Sequence, residues 1–229
     1  MRKLFLGIIV VLFCTGSYSQ ENSQDFQTLF SNKGERSNGG YGAIMVNYSE
    51  INKRDAILIG ARGAWLINHS FSLGLGGYGF MNDPVLDNTP INSFNSKYQT
   101  AGGYGGILLE PIIGAKKPIH LSFPILIGAG GVAYSKHWEN YEDEDSYSGD
   151  YEDSDAFFVV EPGAEIEFNM VKFFRLALSV SYRYTSDIDM TYKSDRPSTA
   201  NVDESMMPIG SAGMLRGWNF GIAMKFGKF

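Results

Sequence analysis

The chain predicts an all-β fold: an eight-stranded antiparallel up-and-down barrel that crosses a membrane. Three observations carry that prediction. First, the segment from Gly217 to Phe226 alternates Trp218, Phe220, Ile222, Met224 and Phe226 with Gly217, Asn219, Gly221, Ala223 and Lys225. That is the period of two of a strand with one apolar face and one small or polar face. Second, the pattern recurs seven more times upstream, with glycines and charges opposite the aromatics. A core of Gly, Arg, Glu and Lys with aromatics outside is wrong for water and right for lipid. Third, the connections between these segments alternate between tight and long, as up-and-down membrane barrels require.

Taken in order, the N-terminus reads as an export signal spanning residues 1–19. Arg2 and Lys3 form a basic start, Leu4 to Phe13 is apolar, and Ser17 and Ser19 stand at −3 and −1 for cleavage before Gln20. Ten apolar residues are too few to span a bilayer as a helix. Cys14 is the single cysteine, and Phe13 stands where a lipobox wants a small residue. Cys14 therefore leaves with the signal, which excludes thiolate metal sites and cysteine catalysis in the mature chain. Residues 20–38 are polar and lack alternation. They read as a periplasmic leader with a short helix around Phe26–Phe30, ahead of a barrel over residues 39–229.

The eight strands are expected at Gly40–Ser49, Asp55–Ile67, Phe71–Met81, Gln99–Ile113, Ile119–Tyr134, Ala156–Asn169, Lys172–Tyr184 and Ala212–Phe226. Connections after the second, fourth and sixth are tight: Asn68-His69-Ser70, Gly114–Pro118 and Met170-Val171. Those after the third, fifth and seventh are long and polar: Asn82–Tyr98, Ser135–Asp155 and Thr185–Ser211. The first, Glu50–Arg54, is short against that trend. With the N-terminus in the periplasm, the tight turns fall on the periplasmic side and the long loops outside. The chain's 27 glycines lie mostly within the alternating segments, where they mark close backbone approach or bending.

Eight strands enclose an interior that side chains can fill. Parity places Arg62, Glu110, Glu161, Glu165, Glu167, Arg175, Arg183 and Lys225 inside, four acids against four bases. Confined charges are costly unless paired, so this balance predicts a salt-bridged plug and no aqueous channel. A soluble barrel of the lipocalin kind would need the opposite parity, with aromatics inside.

Composition excludes other classes. Without residues 1–19 the chain has 17 Lys+Arg against 25 Asp+Glu, a net charge of −8. No nucleic-acid partner is expected, because phosphate binding needs clustered basic residues. No run of 18 apolar residues exists, so helical membrane spans are not expected.

The alternation over residues 39–229, the terminal aromatic Phe229 and the stretch Glu161–Tyr184 (EPGAEIEFNMVKFFRLALSVSYRY) carry a resemblance. They make the chain similar to the small eight-stranded outer-membrane barrels of Gram-negative bacteria, the OmpX-like and OmpA-transmembrane type. The resemblance implies the cell outer membrane after Sec-type export, with lipid and lipopolysaccharide as surroundings. It also implies recognition of the C-terminal strand by the barrel-assembly machinery. It implies no activity, since members serve as adhesins, structural tethers or occasionally lipid-modifying enzymes. Phe229 departs from the usual pattern, being out of phase with Phe226, Met224 and Ile222. Either Phe226 ends the strand or a kink at Gly227 restores the phase.

Motifs for chemistry are sparse. His69 lies in a tight turn where Asn-His-Ser is ordinary turn chemistry. The Gly128–Gly131 run has no following helix to make a phosphate cradle. The one catalytic grouping is His120 with Ser122, inward on strand five, and Glu110 on strand four. A triad needs these within hydrogen-bond reach of one another. Glu139–Asp155 holds nine carboxylates and no base. Of these, Glu142, Asp143, Glu144, Asp145, Asp150, Glu152, Asp153 and Asp155 are the candidate ligands for a divalent cation such as Ca²⁺. The alternative is a solvated, self-repelling loop, and no other cofactor is expected. The functional expectation is a non-enzymatic outer-membrane barrel with a closed, charge-paired interior and external loops for structural or binding roles. Its alternative is a small barrel enzyme acting on lipid or lipopolysaccharide.

Overall fold

The computed structural model describes residues 38–89, 96–137, 151–192 and 207–229. The signal, most of the leader, the Phe26–Phe30 helix and Glu142, Asp143, Glu144, Asp145 and Asp150 lie outside them.

β1 (Asn38–Ile51) and β2 (Arg54–Ile67) form a hairpin on Asn52 and Lys53. Both turn residues are left-handed, at φ 53° and 60°, as a type I′ turn demands of its two central positions. Asn68 and His69 repeat that geometry, φ 51° and 56°, ahead of β3 (Phe71–Asn82). β4 (Val85–Leu86) is a two-residue extension paired with the start of β5 (Lys97–Ile113). β6 (Ile119–Ser122) and β7 (Ile125–Lys136) are two parts of one wall strand. The expected fifth strand is thus interrupted at Phe123 and Pro124, since proline has no N–H to give a sheet ladder. β8 (Tyr151–Val171), β9 (Phe174–Thr185) and β10 (Gly217–Lys228) complete the wall.

Pairings run antiparallel from β1 through β2, β3, β5, β6/β7, β8, β9 and β10, and β10 pairs with β1. The ring is closed and has eight walls. Its stagger follows from the register. Gly39 faces Leu66, Leu66 faces Ser72, and Ser72 faces Glu110. Past the Pro124 break, Gly163 faces Ser181, Ser181 faces Asn219, and Asn219 faces Ser49. The path returns to β1 ten residues from its start. Ten residues at about 3.3 Å against eight spacings of about 4.8 Å tilt the strands roughly 40° from the axis, the usual barrel range. So narrow a ring brings backbones together: a Cβ on Gly106 would stand 2.1 Å from the Ile127 carbonyl oxygen.

Parity is as expected. β1 alternates buried and exposed side chains along its length. The exposed set forms an apolar band that includes Ile44, Val46, Ile57, Ile59, Leu75, Ile107, Val160, Leu178 and Ile222. Aromatics edge the band at both ends, Phe174 stacked on Phe226 at 4.9 Å and Tyr182 edge-on to Trp218 at 5.1 Å. Such an exterior belongs in lipid, and it rules out the reversed parity of a soluble barrel.

Three boundaries and the character of one connection are corrected. The sixth strand starts at Tyr151, not Ala156. The tight turn after the sixth strand is Lys172-Phe173, not Met170-Val171, because a bulge between Asn169 and Val171 carries β8 further. The last strand starts at Gly217, not Ala212. The connection before it is not simply polar. Its described parts fold across the mouth at the long-loop end, burying Ile188, Met190, Ile209, Met214 and Leu215. They pack with Ile51, Leu58, Phe80, Tyr98, Tyr134 and Phe157 from the wall. Asn52 N–H donates to the Met214 carbonyl at 2.9 Å. The lid thus passes directly against the short first connection.

Candidate functional site

The lumen has two halves. Toward the tight turns it is ionic. Lys225 on β10 points inward, 1% exposed. Its Nζ lies 2.7 Å from Glu110, 2.8 Å from Glu165 and 2.5 Å from Glu167. These carboxylates come from β5 and β8, and their oxygens lie within 4.8 Å of one another. An ammonium thus occupies the point on which the three carboxylates converge. Arg62 from β2 donates to Glu165 at 2.7 Å, and Arg175 from β9 to Glu167 at 3.3 Å. Tyr41 donates to Glu110, and Ser72 does so at 2.5 Å. Buried charges persist when paired and hydrogen-bonded, and three acids here meet three permanent cations.

The predicted eight charges are all buried, but they do not all pair. Glu161 accepts from Tyr104 at 2.5 Å, Ser181 at 2.6 Å and Asn219 at 2.9 Å. Arg183 gives its Nε–H to the Leu215 carbonyl at 2.6 Å and an Nη1–H to Asn219 Oδ1 at 3.2 Å. Asn219 therefore links the two charges through its amide. Ser72, Tyr104 and Asn219 were missed because neutral residues on an inward face carry no charge signal; their parity alone could have placed them.

Toward the long loops the lumen is apolar and roofed by the lid. Polar clips hold the lid at its margin. Asp153 and Asp155 accept from the Thr191 and Asp189 N–H groups, each at 2.8 Å. Tyr134 and Tyr192 both donate to Asp87 Oδ2 at 2.7 Å. Burial works against the Asp87 anion, yet those hydroxyls win and hold its carboxyl below the ordinary range. Burial and the same bond push Tyr192 up to about 12. Between the halves lies a cavity of about 30 Å³ bordered by Asn47, Arg62, Tyr78, Glu161, Glu165 and Ser181, polar and large enough for a water molecule.

His120, Ser122 and Glu110 do converge on the ionic half, all buried, but as separate parts. His120 Nε2 lies 2.9 Å from Glu167 Oε2, and Ser122 Oγ lies 3.3 Å from Glu165 Oε2. Glu110 is taken by Tyr41, Ser72 and Lys225. No Ser-to-His bond joins them among the described residues, so the arrangement lacks the proton relay of a nucleophilic triad. Of the acidic segment, Glu152, Asp153 and Asp155 lie at the start of β8, two of them already clipped to the lid. Alternation runs unbroken through Gly227, so Phe226 faces lipid and Phe229 turns inward. There the Phe229 ring lies 5.9 Å from Tyr41 and 3.8 Å from the Arg175 guanidinium carbon.

No family model matches this chain, and no curated relative does. Solved structures do. The crystal structure of Neisserial surface protein A is 7% identical, covering 86% of this chain and 100% of that one, with a TM-score of 0.50. Ail of Yersinia pestis, crystallised with the heparin analogue sucrose octasulfate, is 10% identical over 84% of this chain and 99% of that one, at 0.45. The N-terminal β-barrel domain of Pseudomonas aeruginosa OprF is 9% identical over 84% and 99%, at 0.41. What this chain shares with Neisserial surface protein A is the fold, an eight-stranded antiparallel β-barrel.

Proposed function

We propose that this chain is a non-enzymatic outer-membrane protein whose barrel is a sealed support and whose long-loop end serves structural or binding roles outside the cell. One observation carries the reading: Lys225 is held within 2.8 Å of three carboxylates on two other strands. A pore would need those charges to face water. Here they face one another, which suits a wall brace better than a permeation path. Recordings of the pure protein in planar bilayers should show no stable conductance of porin size. Steady, reproducible channels would overturn the reading and make the inward charges selectivity residues.

The enzyme alternative would require His120 to leave Glu167 for Ser122, and no feature of the structure favours that. Lipid and lipopolysaccharide around the apolar band are the natural surroundings. Phe226, as the last outward aromatic, is the side chain that β10 offers to the assembly machinery. Divalent cations at the acidic segment are part of the same proposal. Millimolar Ca²⁺ should slow protease cleavage within residues 139–155 of intact cells, and a chelator should restore it. Equal cleavage with and without the ion would remove Ca²⁺ from the account.

A further inference from the structure

The tight-turn mouth has a chemistry that the sealed-support reading leaves unused. His69, Lys116, Asn169, Lys172, Arg175 and Lys228 line an open recess of about 660 Å³, with Phe229 at its floor. No acidic side chain lines it. The acids of this half, Glu110, Glu165 and Glu167, are buried beneath and spent on Lys225, Arg62 and Arg175. Lys116, Lys172 and Lys228 make no ion pair among the described residues. The cations feel one another: burial, then Lys116 and Arg175, lowers the affinity of His69 for its proton. Arg175 borders the recess as well, 4% exposed, with its guanidinium held by Glu167 and stacked on the Phe229 ring.

We propose that this mouth is a docking site for a carboxylate-rich peptide chain presented beneath the membrane. The lysines come from separate places around the opening: Lys116 ahead of β6, Lys172 ahead of β9 and Lys228 at the end of β10. They are spread around an open bowl as point charges on flexible stems. That suits successive carboxylates along a chain better than one tightly chelated phosphate. Only the sidedness, beneath and not above the membrane, rests on the outer-membrane reading; the peptide binding does not.

The test uses the full chain in detergent, where both ends of the molecule are reached from one solution. Labelled hexaglutamate is titrated against wild type, the K116E/K172E/K228E variant and K53E, which reverses an exposed charge at the opposite end. Wild type should bind hexaglutamate and not hexaglutamine, and raising the salt should weaken binding. The triple variant should lose about tenfold or more in affinity, while K53E stays within about twofold. Unchanged heat-modifiable gel migration shows that each variant is folded. Equal affinity in wild type and the triple variant would overturn the proposal, as would equal binding of hexaglutamine. Inorganic phosphate competing as well as the peptide would overturn it too, by making the recess a phosphate site.

Discussion

The two halves of the lumen solve the same problem, filling a ring of eight strands, with opposite chemistry. Toward the tight turns the filling is a network of charge pairs drawn from β2, β5, β8, β9 and β10. Toward the long loops it is aromatic and aliphatic, and it is finished by chain that belongs to no strand. The first half is self-contained in the wall. The second depends on a lid that must be clipped in place by Arg183, Asp87, Asp153 and Asp155. The halves should therefore fail differently: the ionic one globally, the apolar one locally.

The largest effect should come from Lys225→Met. Three buried carboxylates would lose the cation they share, and breaking a buried pair costs about 3–5 kcal/mol. Urea unfolding in lipid vesicles should show that loss, and adding Glu110→Gln should recover part of it. A loss below about 1 kcal/mol would mean the charges are solvated and the halves are not different in kind.

Next, Leu215→Ala should cost about 2–3 kcal/mol, the lower part of the range for core truncations, because a lid can settle into the space. Hydrogen exchange should rise at residues 187–192 and 209–216 while the strands stay protected. Exchange rising equally in β2 and β10 would show that lid and wall unfold together.

The smallest effect concerns the clip. Asp87→Asn keeps an acceptor and removes the charge, for about 1 kcal/mol in the lid. Its pH dependence has a definite sign. The folded carboxyl lies below the ordinary aspartate value of 3.8, so its contribution is present above that value. It is lost as pH falls through the lower, folded value. Lid exchange should quicken only in that acid window, and the variant should not respond there.

The same division decides what could be read in the sequence. All eight interior charges were legible, because a Glu or Arg between apolar neighbours marks its face at once: Glu165 and Glu167 flank Ile166, and Lys225 lies between Met224 and Phe226. Which charge meets which was not legible. Partners such as Lys225 and Glu110 are 115 residues apart, and the stagger that aligns them is set by the whole ring. That is why four acids and four bases read as a balanced, paired set, whereas Glu161 and Arg183 meet only through Asn219. The lid was illegible for another reason. Ile188, Met190, Ile209, Met214 and Leu215 are scattered among polar residues with no period, so nothing local says that they are buried.

Closure of the ring has a bearing on how the molecule is assembled. β1 and β10 are neighbours in space and the most distant strands in sequence. Until they meet, the sheet has two raw edges, each able to pair with a stranger, and such a long-range join is intrinsically slow. Lys225 rides on the strand that makes it. Before the join, Glu110, Glu165 and Glu167 stand without their shared cation and favour staying wet. Afterwards they are sealed around it. The ionic half is therefore a latch that the β1–β10 join engages.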